Sequence, residues 1–260
     1  AGIPPEALDC RAVTNRPGLV GSLIVGVSCA KLVALMSGNP LVAVNHLYGH
    51  VQSVFLDRED AGEDFPILTL VASGGHTSIF HSTGPLRHDM ISKTIDDAAG
   101  EAFDKVGKLF GLPFPGGPAI DRAAKEGNPK AVHFPRGKIK NNPWDFSFSG
   151  LKTSVLYHIK GPNAKQQEVE LDEKQLNDLS ASFQEAVVDA LLSKINYAVN
   201  QTGVTRVGLA GGVACNSRLR HKTQTIAEEN GWELFIAPVK YCQDNAAMIA
   251  SMGYYLYQAG

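Results

Sequence analysis

The stretch Leu41-Val42-Ala43-Val44-Asn45-His46-Leu47-Tyr48-Gly49-His50 decides how the rest of the chain is read. Its four apolar residues read as a buried strand, and the segment that follows carries two histidines four residues apart. On a helix, positions i and i+4 share a face, so both imidazoles can converge on one metal ion. Leu47 stands where a zinc peptidase of the HExxH type carries the glutamate that activates water. The stretch therefore offers two legs of a metal site without the peptidase's base.

Outward from this point the pattern is mixed α/β. Strands are expected at 11–14, 41–44, 67–72, 77–81, 206–210 and 233–237. Helices are expected at 20–37, 96–110, 177–200, 217–230 and 244–258. Short strands alternating with helices predict a largely parallel sheet covered on both faces, with a hairpin over 71–81. Between 134 and 172 the chain turns polar and irregular, with Pro135, Pro143, Pro162 and one short helical piece at 149–159. That region reads as an insertion or a lobe boundary.

With 260 residues, 44% of them hydrophobic, the chain can bury the core of one large domain or of two packed lobes. A net charge of −2 excludes a wholesale basic surface. Nucleic-acid contact then needs a partner chain or local patches, such as Arg136, Lys138 and Lys140, or Arg218, Arg220, His221 and Lys222. Such runs are usually a solvated face. Cys10, Cys29, Cys215 and Cys242 are scattered without a CxxC pair, which reads as reduced thiols in the cytoplasm. The most apolar segment, 19–36, is interrupted by Lys31 and is rich in small residues. It is expected to be a helix buried among neighbours rather than a membrane span. No signal peptide is read. The chain opens at Ala1 and enters a strand almost at once, like the middle of a domain.

Four glycine-rich turns follow strands or open helices: 16–21, 71–77, 115–118 and 209–216. Each is ordinary turn chemistry or a place where backbone N–H groups approach an anion. Neither a Walker A pattern nor GxGxxG is present. Asp244 is the best candidate for a third metal ligand, although its place ahead of an alanine-rich helix favours an N-cap. The two roles can coexist if one oxygen serves each. Asp96, Asp97 and Glu101 read as acids complementing a helix N-terminus. Asp104, further along, is open to a ligand hydroxyl or to pairing with Lys105 or Lys108.

Seven ordered motifs carry a resemblance that extends over nearly the whole chain. They are His46-Leu47-Tyr48-Gly49-His50, Ser73-Gly74-Gly75-His76-Thr77, the run 97–105, Pro115-Gly116-Gly117-Pro118, the run 146–153, the run 211–216 and Asp244-Asn245-Ala246-Ala247-Met248. Together they resemble the TsaD family, bacterial tRNA N6-adenosine threonylcarbamoyltransferases once labelled O-sialoglycoprotein endopeptidases. The resemblance implies an actin/Hsp70/sugar-kinase-like α/β fold of two ribonuclease-H-like lobes flanking a cleft. Residues 1–95 would be the remainder of the first lobe, and 96–260 a helical insertion and the second lobe. It also implies transfer of a threonylcarbamoyl group from threonylcarbamoyl-AMP to N6 of the tRNA adenosine beside the anticodon.

By position, His46, His50 and Asp244 would hold one divalent metal, iron or zinc. Val71, Ala72, Ser73, Gly74 and Gly75 would wrap the phosphate and carbamoyl region. Asp104, Gly117 and Asp121 would line the nucleoside part of the cleft, and Asn216 would reach the substrate from the second lobe. No general base is assigned. The implied partners are tRNA, TsaB and TsaE, with TsaC supplying the adenylate; the helices at 23–33 and 179–192 read either as surfaces for a similar lobe in a partner or as core. Departures from the family are Asn15-Arg16 before the first turn, Gln243 beside the metal aspartate, an early end after Tyr257, and no opening phosphate loop. The chain is accordingly read as a fragment. The rival readings are a metalloprotease, a kinase or ATPase of the same fold, and a non-enzymatic scaffold paralogue. Leu47 counts against the first, and the metal residues count against the other two.

Overall fold

A computed structural model gives the structure of residues 4, 7–58, 64–137, 139–161 and 170–260. Strand β1 (Arg11–Arg16) and strand β2 (Leu41–Asn45) pair in parallel, joined by helix α1 (Val20–Ser37). Helix α2 (His46–Gln52) starts directly at the end of β2. Asn45 makes the break, because its side chain accepts the Leu47 N–H at 2.9 Å and caps the new helix. The last helix of the chain, α9 (Ala246–Ala259), returns to pack on β1, β2 and α2. A Cβ on Gly253 would lie 2.4 Å from the Ala12 Cβ, so the missing side chain is what lets α9 touch β1.

The second sheet has five strands in the order β5-β4-β3-β6-β7. Strands β3 (Ile67–Ala72), β4 (Thr77–Gly84) and β5 (Arg87–Lys93) form an antiparallel meander. On the other side of β3, strands β6 (Arg206–Ala210) and β7 (Glu233–Ile236) run parallel to it. All six residues of central β3 are buried, as its unbroken apolar run requires of a strand covered on both faces. Helices α3 (Ala99–Leu109), α4 (Gly116–Ala123), α5 (Ser149–Lys160), α6 (Glu173–Thr202), α7 (Ser217–Asn230) and the short α8 (Val239–Cys242) complete this part. Helix α6 supplies the centre of the core, with Phe183 meeting Phe103 edge-on at 5.3 Å.

Several expectations need correction. The sheet is mixed, not largely parallel, and β5 went unread because Arg87, His88, Asp89 and Lys93 hide an edge strand among charges. Strands β3 to β5, which precede residue 95, and β6 and β7, which follow it, lie in one sheet. Helix α3 begins at Ala99 rather than Asp96. Asp96 instead accepts the Phe148 and Ser149 N–H groups at the start of α5, and Asp97 pairs with Lys105 at 2.7 Å. Of the two readings of segment 179–192, partner surface or core, the structure gives core, through Leu179, Phe183, Leu191 and Leu192.

Helix α1 departs most. It was expected inside, yet Ala34 is its one buried residue, and Leu35 and Met36 are 83% and 79% exposed. By length and composition it could cross a membrane. It lies instead along β1 and β2, and among the described residues no element covers its outer face.

Candidate metal centre and adjoining cleft

His46 opens α2 and His50 lies one turn on, so their rings meet edge-on at 4.8 Å. The Nε2 atoms of His46 and His50 both point at Asp244 Oδ1, at 3.3 and 3.2 Å. One atom from each of the three residues lies within 4.8 Å of the others. Two ligands about 2.0–2.1 Å from a tetrahedral ion are about 3.3–3.4 Å apart, so the two His–Asp spacings fit a shared cation. His50 is fully buried and its Nδ1 has no partner among the described residues, whereas the Asp244 side chain is 75% exposed. The two imidazoles hold the Asp244 carboxyl well below the usual range, chiefly through their hydrogen bonds. Two nitrogens and one oxygen leave coordination positions open, a donor set suited to a catalytic divalent ion.

The N-cap reading of Asp244 is overturned. Asn245, the next residue, caps α9 by accepting the Met248 N–H at 2.9 Å. Asp244 is thereby freed for the histidines. His76 was missed as part of this site, although it sits within the Ser73 to Thr77 motif. Burial lowers its pKa, and His46 and His50 lower it further.

Beside the centre opens a cleft of roughly 370 Å³ lined by Gly74, Asp104, Gly117, Asp121, Asn216 and Gln243, among others. A Cβ on Gly74, Gly75 or Gly212 would meet nothing within 4 Å. At those positions the protein's own packing leaves room above the backbone. The Gly74 and Gly75 N–H groups have no acceptor among the described residues. Gly211 is different in kind: its φ is 87° and a Cβ there would fall 2.3 Å from the Ala72 carbonyl.

The remaining candidates divide. Val71 and Ala72 are interior to β3 and support the turn without lining the cleft. The Ser73 N–H is already donated to His76 O at 2.8 Å. Asp104 accepts the Gly116 N–H at 2.7 Å and so holds the 115–118 turn against α3. Asp121 accepts the Ser217 hydroxyl at 2.7 Å, and Asn216 caps α7 while donating to Gln184 at 2.6 Å. All three reach the cleft with part of their hydrogen-bonding capacity spent on its walls.

The two basic clusters approach each other, and Arg136, Arg218 and Lys222 among them are paired with carboxylates. Arg218 and Lys222 pair with Glu185, each at 2.6 Å; Lys222 and Arg136 share Asp189. Lys138 lies outside the described residues. A larger groove of roughly 830 Å³ passes this network and Lys194, but none of the candidate site residues lines it.

The family described as "TsaD: tRNA N6-adenosine threonylcarbamoyltransferase" matches residues 1–251. The chain belongs to this family. It is 52% identical over 254 residues to the tRNA N6-adenosine threonylcarbamoyltransferase of Anaeromyxobacter dehalogenans strain 2CP-C, covering 97% of this chain and 74% of that relative. The enzyme of the same name from Geotalea uraniireducens strain Rf4 is 50% identical, covering 98% of this chain and 73% of the relative. Among solved structures, HypF of T. kodakarensis superposes with a TM-score of 0.71 at 15% identity, covering 97% of this chain and 41% of that one. That likeness concerns the fold alone, which is the expected actin/Hsp70/sugar-kinase-like α/β architecture.

Proposed function

We propose that this chain transfers the threonylcarbamoyl group from threonylcarbamoyl-AMP to N6 of the tRNA adenosine beside the anticodon, in tRNAs that read codons beginning with adenine. The observation that carries the reading is the convergence of His46, His50 and Asp244 next to a glycine-floored cleft, in a chain of this family. His46, His50 and Asp244 would hold a divalent ion, iron or zinc, which when bound supplies Lewis-acid polarisation of an acyl-phosphate. The chain's own contribution is orientation and charge. The Gly74 and Gly75 amides, fixed by the flanking strands, are donors for the phosphate and carbamoyl oxygens, where negative charge grows as AMP departs. Asp104 and Asp121 offer their remaining acceptor capacity to the nucleoside, and Asn216 fixes the opposite wall.

Leu47 is 5% exposed and carries no acid, so the peptidase alternative lacks its base. TsaB and TsaE are the proposed partners, TsaC the source of the adenylate, and the cytoplasm the compartment. The bare apolar side of α1 is a surface that a protein partner would cover. The test is nucleoside mass spectrometry of unmodified tRNA incubated with the chain, its partners and the adenylate. The modified nucleoside should form with the unaltered chain and vanish with His46→Ala. Persistence of the product in that variant would remove the metal centre from the reaction.

A further inference from the structure

The groove of roughly 830 Å³ beside the charge network shares no lining residue with the cleft at the metal centre. Its walls are the loop from Arg136 to Pro143, helix α6 from Asp189 to Tyr197, and helix α7 from Lys222 to Asn230. The loop wall is fixed by its own bonds. Ile139 and Asn142 pair across a tight turn, with the Asn142 N–H donated to Ile139 O at 3.3 Å. Asn142 Oδ1 accepts the Trp144 and Asp145 N–H groups, each at 3.1 Å. Lys194 then clips the loop to α6 by donating Nζ to Pro143 O at 2.8 Å, and Trp144 meets Tyr197 edge-on at 4.9 Å. A cavity of this size lies within the range of about 300–1,000 Å³ usual for small-ligand sites.

Its floor is apolar and its charge one-sided. Leu192 is buried, and Ile139, Tyr197 and Ile226 are half-buried. Of the charged side chains that line it, Arg136, Lys194 and Lys222 are cations and Asp189 alone is an acid. Arg136 and Lys222 are spent on Asp189, and Lys222 on Glu185 as well. Lys194 has no carboxylate in ion-pair contact among the described residues. Asp145 acts on it from further off, with its oxygens engaged by the Lys93 N–H and the Asn142 amide. Burial pushes the Lys194 ammonium down, and Asp145 only partly offsets this. A half-buried ammonium with two N–H donors unused beside apolar surface is costly until an anion meets it. At the rim, the Asn141 and Asn196 amides are exposed and have no partner among the described residues. Each offers a donor and an acceptor side by side, the pattern that matches the edge of a nucleobase.

We propose that this groove is a second ligand site, one that takes a nucleotide, with the phosphate on Lys194, the base over the apolar floor at Tyr197 and the base edge on Asn196. A fatty acid would answer the cation and the floor but leave the amides unmet. A bare phosphate would leave the floor unmet. A free nucleotide and a nucleotide within an RNA strand present the same chemistry here, and the test separates them. The assignment does not rest on which group the metal-side cleft transfers.

The test photolabels the full chain with 8-azido-AMP and, in a second arm, with an oligoadenylate carrying one 8-azidoadenosine. Tandem mass spectrometry then locates the label. It is expected within residues 195–206, which carry Asn196 and Tyr197. Labelling there should fall at least about tenfold in Lys194→Glu, through loss of a charge-assisted contact. Ile226→Trp fills the groove without altering charge and should lower it as well, with urea unfolding confirming that both variants fold. Labelling by 8-azido-AMP identifies a free nucleotide as the ligand; labelling by the oligoadenylate alone identifies an RNA strand. Label confined to residues 115–122 or 212–216 of the other cleft would overturn the proposal. So would undiminished label at 195–206 in both variants, or equal labelling by 8-azidoadenosine, which lacks the phosphate.

Discussion

Helices α1 and α9 both pack on the two-stranded sheet of β1 and β2, and both are apolar and rich in small residues. Their fates differ. Helix α9 buries Met248, Met252 and Gly253 and presses Gly253 onto Ala12. Helix α1 buries Ala34 alone, and a Cβ on its Gly21 or Gly26 would meet nothing within 4 Å. Small residues permit close approach, but they do not supply the element that approaches. The topology supplied that element for α9, and with it a fixed position for Asp244, which lies just before the helix and opposite the histidines of α2.

The largest expected effect follows from that fixed position. Asp244→Asn keeps the shape but removes the anionic ligand, so metal retention should fall by at least about 100-fold. Metal analysis after dialysis against a weak chelator reads this directly. Retention close to that of the unaltered chain would mean that α9 does not deliver a ligand, and the contrast with α1 would lose its functional side. Gly253→Ala probes the same helix through packing. The added carbon meets a strand Cβ with no flexible end to yield, which should destabilise the protein by about 2 kcal/mol in urea unfolding.

A polar version of the contrast exists at the seam of α6 and α7. Glu185 is held at about 2, first by the Arg218 hydrogen bond and also by Lys222, against the opposing effect of burial. Its folded pKa thus lies below an unfolded value of about 4.3. The stabilisation is complete above that value and is lost as pH falls towards 2. Glu185→Gln should cost about 1–2 kcal/mol at pH 7, and the deficit should shrink between pH 4.5 and pH 2. A deficit that stays constant over that window would show the network to be as inconsequential as an exposed pair.

The same contrast explains what could be read in advance. The β3–β4 hairpin and the His46/His50 pair were legible because each rests on local periodicity and spacing, whereas the helix cap at Asn45 emerged only in the structure. The identity of the α9 cap was not legible either. Asp244 and Asn245 are both good caps, and only the fold shows that the histidines claim one and leave Met248 to the other. Strand β5 was illegible because edge strands carry charges that resemble a loop. The pairing of Arg218 and Lys222 with Glu185 and Asp189 was illegible because the acids are distant in sequence from the bases and close only across helices. The bare face of α1 was illegible for a related reason: an apolar sequence states a demand for cover and says nothing about supply.

The smallest effect has the opposite sign, which makes it the sharpest probe of that point. Gly26 lies inside α1 with open space where a Cβ would go and without a left-handed φ. An alanine there meets no neighbour, reduces the freedom of the unfolded chain and improves helix propensity. Gly26→Ala should therefore stabilise by about 0.5–1 kcal/mol, in contrast to the loss expected for the same substitution at Gly253. If a partner covers α1 through its small-residue face, the added methyl would leave the gain in stability intact while weakening association. Paired measurements of unfolding and binding on Gly26→Ala would therefore separate a helix that is merely bare from one whose glycines are kept for a partner's approach.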